Sequence, residues 1–269
     1  MKWNLQIRFP TFIKLCVNAI KADMYNPYSL EDKTILITGA ASGIGRATSI
    51  ECSKMGAKIV AVDLNAEGLE ALKPQLEGEC HLFFAGNLCY EDFLKQLGND
   101  TPSLDGVFLC AGVSDTTPVK FITEEKIQRV FDVNLTAPIM MLKQLLVNKK
   151  INKGGSLVWM SSYGAEKVEP GLGIYAASKS AVNGIMRAYA KELVSRKIRS
   201  NSIMPMMIRT ELLSTLNSIS DKDWEKQEAM YPLGFGNPLD VAYAAIYLFS
   251  DASRWITGTQ IKMDGGSNL

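Results

Sequence analysis

The chain has 269 residues, 47% hydrophobic and 21% charged, which is enough apolar material for one α/β domain with a ligand crevice. A net charge of +1 leaves no electrostatic footprint for nucleic acid, and no such partner is expected. His81 is the only histidine, which excludes a His-rich zinc centre or a Ser-His-Asp triad on another histidine, so no metal is expected.

The first residues alternate Trp3, Leu5, Ile7 and Phe9 with polar neighbours, a strand-like period, until Pro10. From Thr11, Phe12, Ile13, Cys16, Val17 and Ile20 fall at helical spacing. Residues 1–32 therefore read as an N-terminal extension with three possible origins: a packing arm, a membrane-surface anchor, or a start placed too early with Met24 as the first residue. The arm or the misplaced start is favoured over the anchor, because the helix is short and only modestly basic. No uninterrupted apolar run of about eighteen residues occurs, so no membrane span is expected. Cys16, Cys52, Cys80, Cys89 and Cys110 lack C-x-x-C spacing, and four of them fall in expected helices or strands, which favours free, buried thiols.

Residues 33–269 read as one nucleotide-binding domain. Thr34 to Ile37 is a short apolar strand, followed by Thr38-Gly39-Ala-Ala-Ser42-Gly43-Ile44-Gly45 and a helix from Arg46 towards Lys54. A glycine-rich turn between strand and helix lets backbone approach a pyrophosphate at the helix N-terminus. The next strand, Lys58 to Val62, runs into Asp63, at the distance from Gly39 where an adenine-side ribose would sit. A carboxylate there accepts hydrogen bonds from both ribose hydroxyls and repels a 2′-phosphate. Leu64 and Ser42 supply no cation for such a phosphate, so NAD is expected in preference to NADP.

His81 to Ala85 reads as the third strand, followed by Asn87, Leu88 and a helix through Phe93 and Leu97. Gly106 to Cys110 is the fourth strand, closed by Ala111 and Gly112, and a long helix is expected from Thr123 to about Lys149 with Asn134 within it. Ser156 to Met160 is the fifth strand, ending in Ser161 and Ser162. Tyr175 and Lys179 then stand four residues apart, which stacks them on one helix face. A free phenol, with a pKa near 10, is a poor proton shuttle at neutral pH, and a close ammonium is expected to lower it. Ile198 to Met204 is a sixth strand ended by Pro205, a helix spans Leu239 to Phe249, and Gln260 to Met263 is the last strand. The alternation predicts a doubly wound, mostly parallel seven-stranded sheet, three-layer α/β/α and Rossmann-like, with ligands at the strands' carboxyl ends.

From Lys33 to Gly266 these motifs, in this order, resemble the short-chain dehydrogenases/reductases, most of all the 3-oxoacyl-carrier-protein reductases and related sugar or steroid alcohol dehydrogenases. The resemblance rests on the glycine turn, Asp63, Cys110-Ala111-Gly112, Asn134, Ser161-Ser162, Tyr175-Ala-Ala-Ser-Lys179 and the ending Ile256-Thr-Gly…Asp264-Gly-Gly266. It implies a cytoplasmic homodimer or homotetramer that interconverts a small-molecule secondary alcohol and a ketone. Tyr175 would be its general acid/base, Ser162 would hold the substrate oxygen, and Ser161 would be structural. Lys179 would bind the nicotinamide ribose and acidify Tyr175, while Asn134 would hold a relay water. Pro205, Ile208 and Thr210 match the positions beside the nicotinamide.

Three residues depart from the family pattern. Cys110 stands for the usual asparagine, a small buried substitute expected to lose strand-bridging hydrogen bonds. Asn87 replaces an aspartate near the adenine, and Met206 replaces a glycine after Pro205. Ser114 to Val119, Tyr163 to Leu172 and a Met206 to Tyr231 lid are expected to wall the pocket, with Met206, Met207, Leu212 and Leu213 suggesting an apolar side. Candidate substrates are a β-ketoacyl thioester, a cyclic secondary alcohol or a polyol, and the NAD preference leans towards alcohol oxidation. A cofactor-binding scaffold without turnover is the rival reading, opposed by the joint presence of Asn134, Ser162, Tyr175 and Lys179.

Overall fold

Runs such as Thr34-Ile-Leu-Ile-Thr38, apolar at every interior position, can be satisfied only by a strand buried on both faces. The computed structural model, which describes residues 25–210 and 226–269, places seven such strands in one parallel sheet. They are β1 (Thr34–Thr38), β2 (Lys58–Asp63), β3 (Leu82–Ala85), β4 (Leu104–Leu109), β5 (Ile151–Met160), β6 (Arg199–Pro205) and β7 (Gln260–Met263). Their spatial order is β3-β2-β1-β4-β5-β6-β7. The expected Rossmann-like sheet is what forms. The order reverses between β1 and β4, and in sheets of this kind ligands bind at that switch point, beyond the strands' carboxyl ends.

The period of two along each strand sorts the core into two layers. Ile35, Ile37, Ile59, Phe108, Val158 and Ile203 face α1 (Gly43–Lys54), α2 (Ala66–Leu72) and α7 (Pro238–Phe249). Leu36, Val60, Val107, Leu157 and Trp159 face α3 (Glu91–Asp100), α5 (Ala137–Val147) and α6 (Gly173–Glu192). Phe108 meets Phe249 edge-on at 6.3 Å, and Trp159 meets Tyr189 at 5.3 Å while its indole N–H donates to Ser200 Oγ at 3.0 Å. The start of α7 carries a full capping box: Asn237 Oδ1 accepts from Asp240 N–H, and the Asp240 carboxylate accepts from Asn237 N–H.

His81 does not begin β3 as expected. Its ring does the work of a strand residue instead: Nδ1 accepts from Ile59 N–H at 3.0 Å, and Nε2 lies 3.1 Å from the Glu77 carbonyl, to which it donates. The long helix expected from Thr123 is also not uniform. It consists of α4 (Glu124–Phe131), a π-helical turn (Asp132–Thr136) and α5. By length and mean hydropathy alone the stretch Glu124–Val147 could cross a membrane, although it holds no uninterrupted apolar run of that length. Its buried residues Val130, Met141, Leu142 and Leu145 belong to the core, and Glu124, Glu125 and Arg129 lie in its first two turns.

The thiols also depart from expectation. Cys52 is buried and Cys110 partly so, but Cys80 and Cys89 are exposed. The N-terminal arm readings up to Met24, and the central part of the expected lid with Leu212 and Leu213, fall outside the described residues.

Candidate active site

The β1–α1 turn is shaped by glycines that nothing larger can replace. Gly39 and Gly43 have φ of +70° and +48°, the left-handed region that favours glycine. A Cβ on Gly45 would collide with the Gly39 carbonyl, and one on Gly39 would sit 3.1 Å from Ala111 Cα. Ser42 is the N-cap of α1 but makes no side-chain cap, and Ile44 packs against the core beneath. Asp63 ends β2 beside this turn. One of its oxygens accepts from Ala41 N–H and the other from Asn65 N–H, each at 2.9 Å. Each oxygen keeps a lone pair for a further donor. Leu64 is 71% exposed and offers no charge. These features fit an adenosine ribose and a pyrophosphate.

Asn87 is less free than the sequence implied. Its Oδ1 accepts from Cys89 N–H at 2.9 Å, which ties the side chain into a local turn next to Leu88. Beside Cys110 another residue ties the strands: the Thr38 hydroxyl donates to Phe108 O at 3.2 Å and accepts from Cys110 N–H at 3.0 Å and Ala111 N–H at 3.1 Å. Burial pushes the Cys110 thiol up to about 12, against the opposing pull of Lys179, so it is held protonated. Thr38 is the site residue that sequence reasoning passed over. A β-branched hydroxyl at the end of β1, opposite a polar-to-Cys exchange on β4, was the available signal.

Lys179 comes next along the crevice. A Cβ on Gly112 would be 3.3 Å from Lys179 Nζ and 3.1 Å from Asn134 Oδ1, so Gly112 leaves room for both. The lysine is 3% exposed and donates to Met160 O at 2.9 Å. Burial lowers its pKa from 10.5 to about 8. Ser161 holds the same helix turn, its hydroxyl donating to the Lys179 carbonyl at 3.1 Å, a structural contact of the kind expected.

Tyr175 sits one turn earlier on α6, with Lys179 Nζ 5.7 Å from its ring centre. Its side chain lies near the Ser162 hydroxyl, whose Oγ accepts from Gly164 N–H at 3.0 Å. The acidified phenol expected from the sequence is not found. Burial raises the Tyr175 pKa, and the nearby Ser162 hydroxyl only partly opposes it. The residue as a whole is only partly buried, but protein surrounds the hydroxyl densely enough for desolvation to win. The ammonium, itself weakened by burial, is not among the groups that shift it.

Asn134 occupies the middle of the π-helical turn and is 3% exposed. Oδ1 accepts from Val113 N–H at 2.8 Å, and Nδ2 donates to Val113 O and Ser178 Oγ, both at 3.0 Å. Both amide hydrogens are used, while Oδ1 keeps a lone pair for a further donor such as water. On the far side, Pro205 ends β6, and Met206 N–H bonds to Met263 O at 2.9 Å. Ile208 makes a parallel bridge to Gly236, with Met206 and Thr210 partly exposed around it.

Known proteins are similar to this chain in sequence and in fold. The family described as enoyl-(acyl carrier protein) reductase matches residues 39–268. A 3-oxoacyl-acyl-carrier-protein reductase from Thermotoga maritima is 35% identical over 245 residues, 88% of this chain and 98% of that one. A short-chain type dehydrogenase/reductase from Mycobacterium ulcerans superposes with a TM-score of 0.81 at 30% identity, covering 89% of this chain and 90% of the other. The chain belongs to the short-chain dehydrogenase/reductase family. It is an oxidoreductase of the CH–OH/keto type that works with NAD(P). A protein from Beutenbergia cavernae, described as an NAD(P)-dependent gluconate 5-dehydrogenase with NADP at low occupancy, is similar with a TM-score of 0.81. It shares 26% identity, over 90% of this chain and 99% of that one.

Proposed function

We propose that this short-chain dehydrogenase/reductase interconverts a secondary alcohol and a ketone with NAD(H), using Tyr175 as general acid/base. The observation that carries the reading is the neighbouring Ser162 and Tyr175 side chains, with a buried Lys179 one helical turn on, 5.7 Å from the Tyr175 ring centre and against Gly112. Gly39, Ser42, Gly43, Ile44, Gly45, Asp63, Leu64, Asn87, Leu88, Cys110, Ala111 and Gly112 would hold the adenosine and pyrophosphate. Tyr175, Lys179, Pro205, Ile208 and Thr210 would hold the nicotinamide end. Bound there, the nicotinamide supplies or accepts the hydride.

The rest is done by the chain. Ser162 Oγ is placed to donate to the substrate oxygen while Tyr175 gives up its phenolic proton to that same oxygen. Because burial raises its pKa, Tyr175 is in the donating state at neutral pH, which suits ketone reduction. Lys179, still mostly charged at neutral pH, would donate to the nicotinamide ribose. Alcohol oxidation asks Tyr175 to accept a proton and is favoured as pH rises. Asn134 contributes by fixing Val113 and Ser178 around the pair.

Support for NAD over NADP comes from Asp63, whose carboxylate would lie beside a 2′-phosphate with no cation at Ser42 or Leu64 to offset it. A second reading, reduction of a 3-oxoacyl thioester, is supported by the likeness to the Thermotoga maritima reductase. The experiment is a nicotinamide-absorbance assay over polyols, cyclic alcohols, ketones and acetoacetyl thioesters, with Tyr175→Phe beside the wild type. Turnover with a loss of about 100-fold or more in the variant is expected. Equal rates in the two proteins would refute the assignment, and tighter NADPH than NADH binding would refute the cofactor preference.

A further inference from the structure

The loop leaving β4 is bonded at alternate residues to the helix that carries Asn134. Val113 exchanges both backbone groups with the Asn134 side chain, at 2.8 and 3.0 Å. Two residues on, Asp115 Oδ2 meets an Arg129 guanidinium nitrogen at 3.0 Å. Two further, Thr117 Oγ1 accepts from Lys126 Nζ at 2.9 Å. Residues 113, 115 and 117 thus run against 134, 129 and 126, so loop and helix are antiparallel and in register.

Thr116 turns the other way. A Cβ on Gly171 would lie 3.2 Å from Thr116 Cγ2, and Thr117 N–H donates to Gly171 O at 2.8 Å. Gly171 lies on the approach to α6, four residues before Tyr175. The same five residues therefore touch the Asn134 turn on one side and the lead-in to Tyr175 on the other.

Asp115 is an odd choice if the loop only connects. It is 8% exposed, and its Oδ1 is buried with no hydrogen-bond partner among the described residues. A buried, unmatched carboxylate oxygen is costly, and an ion pair to an arginine that is itself half exposed returns little. The pair is a weak stabiliser, but it fixes a position.

We propose that Val113–Thr117 is a strap that sets the Asn134 turn relative to Tyr175, with Asp115 and Arg129 as its positioning residues. The proposal rests on the roles given to Asn134 and Tyr175 above. The test combines hydrogen exchange by mass spectrometry with steady-state kinetics on Arg129→Gln, a surface change that leaves the core intact, and on Asp115→Ala. Exchange at the Val113 amide should rise about tenfold in either variant, with the Gly39–Arg46 turn unaffected. With a substrate identified in the panel, kcat should fall about fivefold or more, its pH profile should shift, and KM for NADH should stay within about twofold. The double variant should be no worse than Asp115→Ala alone, and Arg129→Lys should recover part of the loss.

Unchanged Val113 exchange, losses that multiply in the double variant, or protection lost evenly across the sheet would each overturn the strap. If no panel substrate turns over, the functional reading fails, while the exchange data still decide the strap.

Discussion

Replacing Lys179 by methionine should change how stability depends on pH. In the folded chain Lys179 is 3% exposed and its pKa is lowered from 10.5 to about 8. Below pH 8 both folded and unfolded chains carry the charge, so the burial cost is present in full. Between pH 8 and about 10.5 the folded chain has lost that proton while the unfolded chain keeps it, so stability rises with pH. Above that window the cost is gone. A fall from 10.5 to about 8 corresponds to about 3 kcal/mol over the window, with a limiting slope of about 1.4 kcal/mol per pH unit. Urea unfolding of wild type and Lys179→Met, in half-unit steps from pH 7 to 10.5, isolates this group, because every other titration cancels in the difference. The stability of wild type minus variant should climb by about 3 kcal/mol. A difference that stays flat would show that the ammonium is not buried as described, and the account of Lys179 beside Gly112 would go with it.

Other outcomes follow from single contacts. Gly45→Ala should abolish dinucleotide binding measured by NADH fluorescence, since its methyl collides with the Gly39 carbonyl. Thr38→Val removes one donated and two accepted hydrogen bonds at the β1–β4 junction. It should cost about 2–3 kcal/mol in urea unfolding and weaken NADH binding. His81→Ala leaves Ile59 N–H without its acceptor and should cost about 1–2 kcal/mol, with little effect on kcat. A thiol reagent at pH 8, followed by peptide mapping, should label Cys80 and Cys89 and spare Cys52 and Cys110, whose thiols burial holds protonated. Labelling of Cys110 ahead of Cys89 would contradict that order.

Much of this architecture was legible because the determining signals are local. Strand runs such as Thr34–Thr38 are apolar inside, and glycines at 39, 43 and 45 stand between such a strand and a helix. The spacing of Tyr175 and Lys179 put them on one helix face, and the motifs around them and the family resemblance gave that pair its meaning. What escaped depended on atoms far apart in the chain. The Tyr175 pKa direction reflects the density around its hydroxyl, which a four-residue spacing does not encode. The hydrogen bonds of Asn134 to Val113 and Ser178 span 21 and 44 residues, so they could not be read locally. The bridging role of Thr38 spans 72 residues to Cys110. His81 looked like a strand residue because its ring imitates one.

The π-helical turn at Asp132–Thr136 has a consequence for how this chain can change. Such a turn holds one surplus residue in an otherwise α-helical run, and its wider coil absorbs the roughly 100° that the residue would otherwise add. Met141, Leu142 and Leu145 therefore keep facing the sheet on its far side. Deleting one residue within the turn would straighten the backbone without exposing that core layer, but it would take away the widened coil that now presents Asn134.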